Sequence, residues 1–420
     1  MNSLKGSLKI RREETDDGLV ILVNERSDSE LIVIQGTYPS GPAFDPEKKP
    51  GLSRFTSEMM MRGTKKRKYR RIIDEVESLG AGIRFYSGDD VAWSSARCTP
   101  QTLDKTLEIL FDCTANPVFP EEEVEKVRGI ILTRIMQRED STAAVANRIA
   151  REMLFPVGNP YHHDPGGYED SISGISREDV ISFHEKQYGK NSAILTFSGK
   201  ITLEGVLQSI QRHSSEWELV EPGPRVPDIS VKRPVKPRKK HHQMPQKSQA
   251  DIAIMCPAPE RTHVDHYALD LGNTILGKIG LMGRLGKSIR EKQGLAYYAT
   301  SQYVSRITCG YWIAYAGVNP ANVDRALEGI YREMGRISEE PVMKREYSDV
   351  LTNRIGNMAL RLETCSGAAG FMQTIERHGL GLDLAERYEG KIRSITQQDI
   401  QRACSKYIRS DGAVTAIAGP

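Results

Sequence analysis

The chain has 420 residues, enough for two or three domains at about 150 residues each. Charged residues make up 27% and hydrophobic ones 39%, the net charge is +3 and the mean hydropathy is −0.46. With no apolar run near the roughly 20 residues of a membrane span, these values exclude a membrane protein, a disordered chain and a global field that draws in nucleic acid or acidic lipid. In chain order, the start MNSLKGSLKIRREETDDG lacks the apolar stretch of a secretory signal, and a cleaved leader would leave the same reading. GLVILVNERSDSELIVIQGTY predicts two strands around a polar turn, and a helical segment follows from about Gly51. SLGAGIRFYSGDDVAWSSARCTP reads as a hairpin broken by glycines. TLDKTLEILFDCTANP places Leu103, Leu107, Leu110 and Phe111 on one helical face, and Pro117 and Pro120 stop that helix. EEEVEKVRGIILTRIMQRED opens another helix with acids in its first turn, which the helix dipole favours. Ser176-x-x-Asp179 is a capping-box start for the next helix, and AILTFSGKI closes the first half as a strand.

Residues 221–246, EPGPRVPDISVKRPVKPRKKHHQMPQ, hold six prolines and a basic run over Lys232–Lys240. Proline at that density opposes continuous helix or central strand, so the stretch reads as a solvated linker. The basic run has no interleaved aromatics of the kind that bind nucleic acid. The six cysteines, Cys98, Cys113, Cys256, Cys309, Cys365 and Cys404, are scattered without a CxxC. They read as buried reduced thiols, not as a disulfide framework or zinc ribbon.

The flanks of the linker look like copies of each other. YEDSISGISREDVISFHEKQY and YEGKIRSITQQDIQRACSKY align with Tyr168 on Tyr388, 220 residues apart. The same offset pairs Glu169 with Glu389, Ile172 with Ile392, Asp179 with Asp399, Lys186 with Lys406, Leu107 with Leu327 and Arg134 with Arg354. Strands and helices mix without strict βαβ alternation. The expectation is an α+β protein of two homologous domains, residues 1–220 and 247–420, each a mainly antiparallel sheet with helices packed on one face.

Two motifs are set aside. Gly277, Gly280, Gly283 and Gly286 lead into Lys287-Ser288, but the glycine that a phosphate loop needs five residues before Gly286 is Leu281, so a tight loop between helices is expected. His162-His163 and His241-His242 lie in loop and linker, and His263 with His266 lack the two further ligands of a zinc site.

The informative segment is Gly51–Thr64, GLSRFTSEMMMRGT. With NERSDSELIVIQGTYPSGPAFDP, NPVFPEEEVEKVRGIIL, YEDSISGISREDVISFHEKQYGKNSAILTFSGKI and LGNTILGKIGLMGRLGKSIREKQGLAY, it resembles the M16 metallopeptidases, the pitrilysin and mitochondrial-processing-peptidase-like family. The resemblance covers most of the chain and implies that family's LuxS-like metallohydrolase fold. In active members this frame carries His-x-x-Glu-His. Here the first histidine is replaced by Arg54, the general-base glutamate by Ser57 and the second histidine by Glu58, and the third ligand, a glutamate on a later helix, aligns with Arg134. Arginine cannot deprotonate to become a ligand, Glu58 alone cannot hold the ion, and serine is too weak a base to activate a metal-bound water. No catalytic residue and no metal ligand is therefore expected in this chain. Arg54 and Glu58, four apart on a helix, are expected to form an ion cluster with Arg134; the alternative is three unrelated surface charges.

In the second half, IREKQGLAY matches the family segment whose arginine and tyrosine contact the peptide, which falls on Arg290 and Tyr297. On residue types alone, Arg290 and Glu291 also read as a surface pair. The resemblance implies a non-catalytic subunit that closes a chamber and holds extended peptide substrate, by strand addition to a sheet edge, for a zinc-bearing M16 partner in a heterodimer or through self-association. Zinc is expected only in that partner, and neither nucleic acid nor a membrane span is expected. The alternatives are a structural or assembly subunit with no role in proteolysis, like the family members built into respiratory complexes, and a stand-alone hydrolase of other mechanism. The abrupt start is compatible with excision from a longer fused polypeptide, and the expected setting is soluble, in a bacterial cytoplasm or periplasm.

Overall fold

The structure, a computed structural model, describes residues 8–221, 231 and 233–420. The first half runs β1 (Arg11–Glu14), β2 (Val20–Glu25), β3 (Ile32–Tyr38), α1 (Leu52–Met59), α2 (Tyr69–Ser78), β4 (Gly82–Ser87), β5 (Ala92–Cys98), α3 (Leu103–Ala115), α4 (Glu121–Glu139), α5 (Thr142–Leu154), α6 (Glu169–Ser173), α7 (Arg177–Gln187), β6 (Ile194–Gly199) and α8 (Leu203–His213). The second half runs β7 (Arg238–Gln243), β8 (Ala250–Ala258), α9 (His266–Gly277), α10 (Ile279–Leu285), a π-helical turn Gly286–Lys292, β9 (Ala296–Ser305), β10 (Gly310–Val318), α11 (Val323–Glu339), α12 (Lys344–Glu363), α13 (Cys365–Arg377), α14 (Leu384–Arg393), α15 (Gln397–Tyr407) and β11 (Val414–Gly419).

The strands form two sheets, ordered β1-β2-β6-β3-β5-β4 and β7-β11-β8-β10-β9. All pairings are antiparallel except β2 with β6 and β7 with β11. The α+β duplication is thus visible as topology. β7, β8, β9, β10 and β11 repeat β2, β3, β4, β5 and β6, and β11 begins 220 residues after β6. Even the capping boxes repeat. Ser176 accepts from the Asp179 N–H while Asp179 accepts from the Ser176 N–H, and Thr396 and Asp399 do the same.

The structure overturns the sequence expectation at the linker and adds detail to it at two other places. The runs that become β2 and β3 do not pair with each other, because β6 lies between them. Of the expected linker 221–246, residues 222–230 and 232 lie outside the described residues, but Arg238–Gln243 forms β7. Every residue of β7 is exposed, so the strand has no buried face to impose apolar alternation, and its Lys and His side chains guard a sheet edge. The glycine-rich loop is the expected tight turn between helical segments: Gly280, Met282 and Gly283 take positive φ of 60°, 70° and 64°.

Contacts divide the described chain into two units, residues 8–135, 164–221 and 359–386, and residues 136–163, 233–358 and 387–420. In the first unit most helices pack on one face of the sheet, over a core that includes Ile21, Ile34, Phe55, Leu107, Phe111, Val127 and Phe197. Among the described residues, the other face carries one helix, α13, which comes from the second half of the sequence. Val33 packs against Cys365 and Ala369, and the Gln373 amide donates to the Gln35 and Ile194 carbonyls at 2.9 and 2.8 Å. In the second unit the equivalent helix is α5, from the first half: Thr142 donates to buried Asp251, and Asn147 to the Tyr315 hydroxyl at 3.1 Å. All six cysteines are buried and none is in a disulfide.

Candidate functional site

The cleft of interest lies in the first unit, where α1 sits against β4 and α4. Gly51 starts α1 with φ of 93°, a left-handed conformation that disfavours any other residue. A Cβ there would stand 2.8 Å from the Ile172 side chain and 2.9 Å from the Gly167 Cα. Asp45 caps the first turn by accepting from the Gly51 and Ser53 N–H groups, both at 2.7 Å. Phe55 and Met59 then anchor α1 in the core, which turns Arg54, Ser57 and Glu58 toward a cavity of about 650 Å³. Met61, Arg62, Tyr69, Arg84, Tyr86 and Arg134 also line it. Arg67, almost wholly buried, ties α2 to α3 by donating to Glu75 at 2.9 Å and to Asp112 at 2.6 Å, and so holds the α2 wall in place.

Glu58 joins both arginines. Its Oε1 accepts from Arg54 Nε at 3.3 Å and also from Arg134 Nη1, so the expected ion cluster exists and ties α1 to α4. The arginine side chains are 42% and 48% exposed, which limits the cluster's net worth to about 1 kcal/mol or less. Ser57 is buried. Its hydroxyl donates to the Ser53 carbonyl at 2.9 Å and lies 3.0 Å from the Tyr188 hydroxyl. Burial pushes the Tyr188 phenol up to about 12, so it stays neutral beside Ser57.

These residues do not fit a zinc ion. Two guanidiniums offer no lone pair, the Ser57 hydroxyl is already bonded, and one oxygen of the only carboxylate is held by both arginines. Among the described residues, no group of three or more His, Cys, Asp or Glu is arranged to hold a metal.

Arg290 and Tyr297 lie in the second unit. Arg290 belongs to the last turn of the π-helical segment Gly286–Lys292, and Tyr297 is at the start of β9 with 63% exposure. Among the described residues, neither the Arg290 guanidinium nor the Tyr297 hydroxyl has a hydrogen bond or ion pair, so the alternative reading of Arg290 and Glu291 as a surface pair is not met. Sequence reasoning missed Arg84 and Tyr86 on β4 and the buried partner Tyr188. The first two carry a readable signal, a period of two in β4 that sets Arg84 and Tyr86 on the exposed face and Ile83 on the buried one, whereas the Ser57–Tyr188 contact spans 131 residues and has no local signature.

Fold and cleft together define a duplicated α+β protein on a metallopeptidase-like frame. The family model "Insulinase (Peptidase family M16)" matches residues 32–159, and "Peptidase M16 inactive domain" matches residues 174–353. The chain belongs to peptidase family M16. It is 23% identical over 380 residues to an uncharacterized zinc protease of Streptomyces coelicolor, across 88% of this chain and 81% of that one. It is 24% identical over 407 residues to the mitochondrial-processing peptidase subunit beta of Bos taurus, across 91% and 78%. Identity to the cytochrome b-c1 complex subunit 1 of Bos taurus is 23% over 425 residues, across 97% and 85%. Among solved structures, a peptidase M16 inactive domain from Pseudomonas fluorescens superimposes with a TM-score of 0.91 at 20% identity, covering 98% of both chains. A protease from Helicobacter pylori gives 0.85 at 19%, covering 98% of this chain and 100% of that one. No helix among the described residues is long and apolar enough to cross a membrane.

Proposed function

We propose that this chain is the non-catalytic partner in an M16-type peptidase, bringing no metal of its own, closing the chamber and holding extended peptide for a zinc-bearing relative. The observation that carries the reading is the pairing of a cleft whose Arg54, Ser57, Glu58 and Arg134 are bonded to one another or to their own helices with an Arg290 and a Tyr297 whose side chains have no partner among the described residues. Guanidinium and phenol suit peptide contact: the first grips a backbone carbonyl, the second donates to an oxygen that gains charge. The outer edge of β4 has no strand beside it among the described residues, and residues 83–87 of that strand line the cleft, which supports peptide binding by strand addition. The resemblance to a peptidase subunit and to an inactive-domain structure supports the same reading.

The test is reconstitution. The chain alone should cleave no peptide, activity should appear on mixing with a zinc-bearing M16 relative, and Arg290→Ala or Tyr297→Phe should lower it. A second reading, a structural or assembly subunit with no role in proteolysis, is supported by the similarity to the cytochrome b-c1 subunit over nearly the whole chain. It gains if both substitutions are silent in an active mixture.

A further inference from the structure

We propose that the cleft between α1, α4 and β4 selects acidic peptide, its arginines recognising side-chain carboxylates of an extended segment. This rests on the reading of the chain as a peptide-holding partner and names the chemistry of what it holds. The charge on the walls is one-sided. Four arginines, Arg54, Arg62, Arg84 and Arg134, line the cavity, and Glu58 is the only carboxylate among the lining residues. Arg62 is balanced from outside the lining by Glu123 at 3.3 Å, and it covers the Tyr69 ring at 4.5 Å. Glu58 is shared by Arg54 and Arg134, so that trio keeps one net positive charge. Arg84 adds a second: it is exposed and has no side-chain partner among the described residues.

The N–H groups also remain available. Arg54 bonds Glu58 only through Nε, and Arg134 only through Nη1, so each guanidinium keeps donors for a carboxylate. Their placement fits an extended chain, because the free edge of β4 opens onto the cavity, with Arg84 on the sheet face that carries α13 and Arg54 and Arg134 on the α1 side, so that alternate side chains of an added strand meet one or the other. Two residues along on the same face as Arg84, Tyr86 is 45% exposed and stacks on Trp93 with ring centroids 6.0 Å apart, giving an aromatic surface beside Arg84. In this arrangement an acidic peptide is drawn in by the field and gripped by bidentate guanidinium contacts, while a basic peptide is repelled.

The test measures binding of the full chain, by fluorescence anisotropy, to three short peptides with acetylated and amidated ends. One is rich in Asp and Glu, the second is its Asn/Gln isostere, and the third carries Lys at those positions. The acidic peptide should bind roughly tenfold tighter than the isostere, the preference should shrink as salt is raised, and Arg84→Glu should cancel it. Arg84 is exposed and unpartnered, so that variant keeps the fold, and an unchanged circular-dichroism melt verifies this. Equal binding of acidic and isosteric peptides, or preference for the Lys peptide, overturns the charge selection while leaving the partner reading intact. Binding of none of the three overturns the proposal together with the peptide-holding role. Failure of the partner reading is seen separately, as an inactive reconstituted mixture.

Discussion

At the scale of single residues, position 57 holds a buried, bonded hydroxyl where the resemblance places a general base. Ser57 is small, buried and bonded to both the Ser53 carbonyl and the Tyr188 hydroxyl. A glutamate there gives up the bonds to Ser53 and Tyr188, and the first part of its longer side chain is buried between α1 and Tyr188 before it reaches the cavity. Ser57→Glu should therefore destabilise the chain by about 1–3 kcal/mol, read as a lowered Tm, without creating zinc affinity. His184 gives a pH signature. It is half-buried between the rings of Phe119 and Tyr188, and burial pushes its imidazole down to about 4, opposed by the bond from Nε2 to the Thr114 carbonyl. The unfolded chain takes up that proton near 6.5, so between about 6.5 and 4 the unfolded state holds more protons. This contribution is whole above pH 6.5 and is lost as the pH falls through 4. Allowing for partial exposure it amounts to about 1–2 kcal/mol, and His184→Gln should flatten that part of the stability–pH curve.

At the scale of elements, the left-handed start of α1 is the weak point of the site. Gly51→Ala places a Cβ against Ile172 and Gly167 at a φ of 93°, and should cost about 1–3 kcal/mol and loosen the Glu58–Arg134 tie. Chemical denaturation measures the cost, and an unchanged midpoint would contradict this account of α1. Much of this level was legible in the sequence. The hairpin β4–β5, helices α3 and α4, the Ser176–Asp179 capping box and the Arg54–Glu58 spacing follow from local pattern, since each is set by residues a few positions apart. What was not legible depends on distant partners. β6 separates β2 from β3 because a strand more than 150 residues away fits between them, and β7 hides in a polar, proline-bounded stretch because an exposed edge strand leaves no apolar periodicity. The one long-range signal that worked is the 220-residue offset, which carries β6 onto β11.

At the scale of the whole molecule, each contact unit contains a helix from the other half of the sequence, α13 in the first and α5 in the second. The halves of the duplication are thus not self-sufficient. Residues 1–220 expressed alone would leave Val33 and the Gln35 and Ile194 carbonyls without α13, and residues 247–420 would leave Asp251 and Tyr315 without α5. Each half alone should aggregate or bind a hydrophobic dye, and co-expression should recover a cooperative fold. A single half that unfolds cooperatively on its own would refute this. The same exchange explains why the chain reads as two copies in sequence yet is one covalent working unit.

The central claim is that this chain is the metal-free partner of a two-chain peptidase. The most direct measurement is peptide hydrolysis by the chain alone, by a zinc-bearing M16 relative alone and by their mixture, with bound zinc quantified for each. The account predicts no zinc and no hydrolysis for this chain, the highest rate for the mixture, and a lower rate when the mixture carries Arg290→Ala or Tyr297→Phe. Stoichiometric zinc or hydrolysis in the isolated chain would contradict it.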